Sequence, residues 1–242
     1  MQLSVVIPVR NEAENILPLL AEIHAALEGK AEFEVVYVDD GSSDATPARL
    51  AEALKGHPRL RVLAHAESCG QSAALVTGFR AARGEWIATL DGDGQNDPAD
   101  IPKLLAVRDG AGRPANLQLV AGYRKKRQDT WLKRVSSRVA NGVRSRLLGD
   151  ATPDTGCGLK VFARSTFLEL PPFDHMHRFL PALVRAAGGG IVALPVSHRP
   201  RQAGRSKYGI GNRLWVGIVD LFGVRWLIRR QVAPHAGREE RE

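Results

Sequence analysis

Glu85-Trp86-Ile87-Ala88-Thr89-Leu90-Asp91-Gly92-Asp93-Gly94-Gln95-Asn96-Asp97-Pro98 joins an apolar run of strand length to a turn rich in acids and glycine. Trp, Ile and Thr favour extended backbone, and turn residues bound the run, so 85–90 is predicted to be a buried strand. The acids then stand at its carboxyl end. On an extended continuation side chains repeat every second residue, which predicts that Asp91, Asp93 and Gln95 look to one side and offer only oxygen ligands there. Such a set suits a hard cation, Mg²⁺ or Mn²⁺. A calcium loop is excluded: its sixth and twelfth positions need Gly and a bidentate Glu, and counting from Asp91 they hold Asn96 and Pro102. Asp97, directly before Pro98, reads as the cap of the next helix.

Working outward, Leu3–Val9 is a short strand of β-branched residues, and Ile16, Leu17, Leu20, Ile23 and Leu27 follow it at helical spacing. Residues 33–38 make a second strand that runs into Asp39-Asp40-Gly41-Ser42-Ser43-Asp44, and a helix is predicted over 46–55. A third strand spans 60–64 and a third helix 71–82. Strands alternating with helices in this way predict an α/β fold with a parallel, right-handed, doubly wound sheet. All strand carboxyl ends then share one rim, where Pro8, Asp39, Asp40, Asp91 and Asp93 meet and where such sheets bind ligands. No GxGxxG follows the first strand and no Walker A sequence is present, which excludes a dinucleotide dehydrogenase and a P-loop ATPase.

The 242 residues suit one α/β domain with a C-terminal appendage. The chain carries 34 basic and 26 acidic residues, a formal charge of +8. An anionic partner follows: nucleic acid, acidic membrane or a phosphorylated substrate. The excess lies at 124–146, 199–213 and 225–230, in stretches without the interleaved stacking aromatics of a single-strand binder, so nucleic acid is not expected. Cys69 and Cys157 form no CxxC motif and are expected to be free thiols. The first residues enter a strand with no basic-then-apolar leader pattern, and the expectation is a cytoplasmic protein.

Ser4-Val5-Val6-Ile7-Pro8-Val9-Arg10-Asn11-Glu12, Val38-Asp39-Asp40-Gly41-Ser42-Ser43-Asp44 and Asp91-Gly92-Asp93-Gly94-Gln95 together resemble the three nucleotide-sugar motifs of family 2 glycosyltransferases, inverting enzymes of the GT-A fold. The resemblance implies a Rossmann-like, mainly parallel central sheet. It implies that Pro8, Asn11 and Glu12 border the nucleotide, that Asp39, Asp40 and Gly41 read its base or ribose, and that Asp91, Asp93 and Gln95 hold a divalent metal on the diphosphate. The chemistry agrees, since a diphosphate leaving group needs its developing charge neutralised.

In the second half, a strand over 117–124 ends in Lys125, Lys126 and Arg127, and a helix is predicted from about Thr130 to Leu148 with Lys133, Arg134, Arg138, Arg144 and Arg146 among apolar residues. Alone, this is a solvated basic face. Asp154-Thr155-Gly156-Cys157-Gly158 reads as a loop entering a strand beside the rim, and 191–196 as a further strand. His198–Gly209 gathers four Arg or Lys side chains and Ser206 around two glycines, which reads as a mobile phosphate-binding loop. It resembles the loop of polyprenyl-phosphate glycosyltransferases, the dolichyl-phosphate mannose synthase group. That resemblance puts Lys133 or Arg134 and Ser137 on a lipid phosphate, and Arg124, Arg205, Ser206 and Lys207 near the phosphates. His175 and His177 flank Met176, but no further ligand at zinc spacing accompanies them, so they read as structural. Arg178 is within reach of an acceptor.

Residues 214–228 are apolar nearly all round, interrupted by Asp220 and Arg225, and too short to span a bilayer. Trp215, Trp226 and the trailing Arg229-Arg230 describe a segment lying on an anionic membrane surface. A helix buried in a homo-oligomer is the competing reading. The chain thus divides into a GT-A domain over 1–213, with a donor half (1–100) and an acceptor half (101–213), and an interfacial segment with tail over 214–242.

The expected function is metal-dependent, inverting transfer of a sugar from a guanosine or uridine diphosphate sugar, such as GDP-mannose, to a polyprenyl phosphate at the cytosolic membrane face. Asp91, Asp93 and Arg205 are the expected catalytic groups, with Lys207 also on the donor. A phosphate acceptor is already anionic near neutral pH and needs no base, so positioning and charge carry the reaction. A saccharide hydroxyl would need a carboxylate base, for which Asp154 is the candidate.

Overall fold

The computed structural model describes residues 1–124, 142, 144–150, 152–201 and 210–230, the side chains of 210–215 excepted. Strands β1 (Leu3–Val9), β2 (Phe33–Asp40), β3 (Leu60–His65) and β4 (Trp86–Thr89) alternate with helices α1 (Ile16–Leu27), α2 (Thr46–Gly56) and α3 (Gln71–Ala81). After α4 (Ile101–Asp109) come β5 (Leu117–Arg124), β6 (Lys160–Ala163), α5 (Arg164–Glu169), α6 (Leu180–Ala186), β7 (Gly190–Val196) and α7 (Ile210–Arg230). The strands form one sheet in the order β3-β2-β1-β4-β6-β5-β7.

The β1–β4 half is parallel, as expected. Its strands are apolar on both faces because helices cover both: Val5, Ile7, Val35 and Tyr37 pack with α1 in one core, while their sequence neighbours Val6, Val36 and Val38 pack with α3 in the other. Each fully buried side chain of this size contributes roughly 1.5–3 kcal/mol. At the amino ends of these strands, away from the ligand rim, Glu34 accepts from Ser4 Oγ at 2.6 Å, Arg83 N at 2.7 Å and Arg61 Nη1 at 3.0 Å.

The second half departs from simple alternation. β6 runs antiparallel between β4 and β5, with Lys160 paired to Thr89, and β7 lies parallel to β5 at the edge. Because β6 is reversed, its first residue and the loop before it stand at the carboxyl end of β4. That inversion brings residues 154–160 to the ligand rim.

β4 ends at Thr89, not Leu90, and residues 92–93 form a turn that Gly94 closes at φ +72°. Strand alternation therefore does not carry Asp91 and Asp93 to one side; the turn does. Asp97 caps the 3₁₀ turn Pro98–Asp100 by accepting from Ala99 N at 3.0 Å. Of the helix expected over 130–148, residues 142 and 144–148 are described and helical, and Lys133, Arg134 and Ser137 lie outside the described residues. α7 contains the whole apolar stretch 214–228. It packs on the α3-side core through Val224, Leu221, Leu227 and Ile228. Asp220 Oδ2 lies 2.9 Å from His175 Nδ1, and Arg225 donates to Leu147 O at 2.7 Å.

Candidate active site

The carboxyl ends of β1, β2 and β4, the start of β6 and the start of α3 enclose a cleft of about 730 Å³. Its size is that of a small-molecule or cofactor site. Asp91 and Asp93 both line it. Asp91 N donates to Asn96 Oδ1 at 3.1 Å, and its Oδ1 accepts from Gln71 Nε2 at 3.0 Å. Gly158 allows this approach: a Cβ there would lie 2.2 Å from Asp91 Oδ2. Burial pushes the Asp91 carboxyl up to about 6, and Asp93 adds repulsion that Lys160 and Arg124 only partly offset. Asp93 accepts from Gln95 N at 3.1 Å through Oδ1 and from Arg201 Nη2 at 2.8 Å through Oδ2. Gln95 lines the cleft too, with its amide nitrogen 3.5 Å from Arg199 O.

On the opposite wall the motif residues divide into two groups. Pro8, Glu12 and Asp40 line the cleft, whereas Asn11, Asp39 and Gly41 build the turn behind it. Asn11 holds a φ of +52° and exchanges hydrogen bonds with Ser43, through Nδ2 to Oγ at 3.3 Å and from Ser43 N to Oδ1 at 2.8 Å. Asp39 Oδ1 accepts from Ser42 N and Ser42 Oγ. Gly41 sits at φ +62°, where a Cβ would meet Glu67 C at 2.6 Å. Glu12 accepts from Asn15 Nδ2 at 2.7 Å. Asp40 is almost fully buried; its Oδ1 bonds His65 Nδ1 and Cys69 N, each at 2.8 Å, and its Oδ2 accepts from Ser68 Oγ at 2.8 Å and Gly70 N at 2.9 Å. Burial alone would raise its pKa, but these hydrogen bonds outweigh it and hold the carboxyl below its usual value. Asp40, His65 and Cys69 also have the spacing of metal ligands among the described residues, but this hydrogen bonding already accounts for the cluster.

The third wall comes from β5, β6 and the segment before α6. Arg124 grips Asp154 with two hydrogen bonds, Nε to Oδ2 at 2.6 Å and Nη2 to Oδ1 at 2.9 Å. Lys160, buried, donates to Cys157 O, and burial lowers its pKa. His177 Nδ1 lies 2.7 Å from Ser72 Oγ, and burial drives its pKa down to about 3, so it is neutral. Arg178 lines the same wall. Sequence reading missed Lys160, His177 and Gln71, and placed Arg201 in a phosphate-binding loop without its contact to Asp93. Lys160 alone left a trace, as a charged residue opening an otherwise apolar strand. Arg205, Ser206 and Lys207 lie outside the described residues.

The sequence profile of Glycosyl transferase family 2 matches residues 4–170. The chain belongs to this family. Its relatives include a dodecaprenyl-phosphate galacturonate synthase of Rhizobium johnstonii, 37% identical over 97% of this chain and 69% of the relative. An undecaprenyl-phosphate 4-deoxy-4-formamido-L-arabinose transferase of Edwardsiella ictaluri is 36% identical over 86% of this chain and 63% of its own length. The chain thus spans about two thirds of the curated relatives it matches. A Pyrobaculum calidifontis mannosyltransferase solved with GDP-Man and Mn²⁺ superposes with a TM-score of 0.65 at 24% identity, covering 96% of this chain and 66% of that one. That likeness shows the fold, which is GT-A, as the motifs implied. In this family 2 glycosyltransferase, Asp91 and Asp93 fit a divalent cation: two mutually repelling carboxylates on one cleft wall offer hard oxygen donors.

Proposed function

We propose that this glycosyltransferase moves a sugar from a nucleoside-diphosphate sugar to a polyprenyl phosphate at a membrane surface. The observation that carries the reading is that a single cleft sets the Asp91–Asp93 pair among Arg124, Lys160, Arg178 and Arg201. Carboxylates suited to a cation, ringed by cations suited to phosphates, match a reaction in which leaving group and acceptor are both phosphorylated. Both curated relatives carry a polyprenyl phosphate in their names.

Asp91 and Asp93 would hold Mg²⁺ or Mn²⁺, whose chemistry is to neutralise the charge that develops on a departing diphosphate. Arg124, Arg178 and Arg201 bind and orient phosphate oxygens, and Asp154 fixes the angle of the Arg124 guanidinium. A carboxylate in a two-pronged ion pair is a weak base, so the Arg124–Asp154 pairing favours an acceptor that is already an anion over a sugar hydroxyl. Neutral His177 offers a hydrogen bond without adding charge. Leu75, Phe79 and Leu180 line the apolar part of the cleft and limit water near the anomeric carbon.

α7 supplies the membrane contact in this reading. Ile218, Phe222 and Trp226 follow one another at four-residue steps, with exposures of 38, 60 and 63%, and Val219 at 54% joins them. No helix among the described residues is long and apolar enough to cross a membrane. A surface stripe ending in Arg229 and Arg230 suits an anionic leaflet, such as the cytosolic one.

The test is to incubate the protein with GDP- and UDP-sugars, Mn²⁺, and either undecaprenyl phosphate in anionic vesicles or soluble saccharides. An acid-labile lipid-linked glycosyl phosphate is expected. Transfer to saccharide hydroxyls alone overturns the reading.

A further inference from the structure

Arg201 is held on the cation-binding turn by a segment stitched to that turn at every step. Ser197 N donates to Asp100 Oδ2 at 2.6 Å, His198 bridges Asn96 in antiparallel fashion, and Arg199 N donates to Gln95 O at 2.9 Å. The Arg199 side chain adds ion pairs to Asp97 at 2.5 Å and to Glu22 at 2.9 Å. Two residues later, Arg201 Nη2 sits 2.8 Å from Asp93 Oδ2 and 3.9 Å from Glu12 Oε1. Its Nη1 is buried and has no hydrogen-bond partner among the described residues. A guanidinium that spends one arm on a carboxylate and leaves the other unsatisfied in a buried place is set to take a second anionic ligand.

Resting on the cation reading above, we propose that Arg201 is an internal counter-cation that competes with the divalent ion for Asp93 and thereby couples cation binding to the arrival of a diphosphate. Without donor, the guanidinium neutralises Asp93, and a divalent ion must displace it. A diphosphate entering the cleft gives Arg201 an alternative anion, within reach of the unsatisfied Nη1, and Asp93 becomes free. Each ligand then favours the other, because both draw Arg201 to the same side.

The experiment measures Mn²⁺ binding to the full chain by the electron paramagnetic resonance of free Mn²⁺, for wild type, Arg201→Gln and Arg201→Lys. Each is titrated alone, with UDP and with GDP, and circular dichroism checks the fold. Arg201→Gln is expected to bind Mn²⁺ about tenfold tighter than wild type without nucleotide, and no tighter once the better nucleotide is present. Arg201→Lys, which keeps the charge, stays near wild type. An equal gain in both states means only a weaker local positive field and overturns the exchange, as does no gain at all. Mn²⁺ bound by none of the proteins in any state overturns the cation reading along with it.

Discussion

Arg124 and Asp154 form a two-pronged ion pair across the cleft wall, with contacts of 2.6 and 2.9 Å, although 30 residues separate them in sequence. The pair answers a question of role that either residue alone leaves open. If Asp154 serves to aim Arg124 at a phosphate, Asp154→Asn should lower transfer while leaving the shape of the pH–rate profile unchanged. The double variant with Arg124→Gln should then lose little more than either single one. Removing the carboxylate should also cost about 2 kcal/mol of stability, less than for a fully buried pair. Loss of the acidic limb of the profile in Asp154→Asn would restore the general-base role.

Asp91 and Asp93 raise a separate expectation. Burial and mutual repulsion make the ionised Asp91 a burden on the metal-free fold, so Asp91→Asn should melt no lower than wild type in EDTA. Transfer should fall to background in the same protein, and also in wild type stripped of divalent ions. A clearly lower melting temperature in EDTA would mean that Asp91 is held mainly by Gln71 and Asn96 as part of the fold.

His177 makes the fold acid-sensitive. Its folded pKa of about 3 lies below the ordinary 6.5, so the unfolded chain takes up a proton that the folded chain refuses. The stability is complete above pH 6.5 and declines as pH falls toward 3. By pH 4.5 the loss from this one residue is of order 2 kcal/mol. His177→Gln should flatten that part of the melting-temperature curve, read between pH 7 and 4.5. An unchanged curve would show that other groups dominate the acid limb.

The parallel half was legible because strands buried on both faces, such as β2 with all eight residues buried, advertise themselves as apolar runs ending in polar turns. Asp91, Asp93, Pro8 and Asp40 were legible as lining residues for the same reason: the rule that ligands meet strand carboxyl ends needs only the order of elements, whereas Glu12 came from the motif resemblance. The direction of β6 was not, since Lys160-Val161-Phe162-Ala163 reads alike either way, and with it Lys160 was lost. Asn11 and Asp39 were read as bordering the nucleotide, and their side-chain oxygens also hold the turn behind the cleft, a second task that the sequence did not reveal because short polar side chains use the same oxygens for both. Arg201 on Asp93 joins residues 108 apart, a contact that no local pattern encodes.

The stripe on α7 carries the last expectation. Phe222 and Trp226 are mostly exposed, so replacing both with Ser removes little packing and should shift stability by less than about 1 kcal/mol. Val224, almost fully buried on the same helix, keeps the contact with the body. If the stripe lies on a bilayer, the double variant should leave anionic vesicles in co-sedimentation while turning over a short, water-soluble prenyl phosphate near the wild-type rate. Arg229→Gln with Arg230→Gln should weaken vesicle binding roughly 30-fold at low salt, from about 1 kcal/mol for each charge near the surface. That difference should shrink as salt rises, because surface charge is screened whereas buried apolar area is not. Unchanged vesicle binding, joined to a loss of self-association in the Phe222 and Trp226 variant, would assign the stripe to contact between copies of the chain. A paired assay on long and short acceptors then decides whether reaching the lipid is what the helix is for.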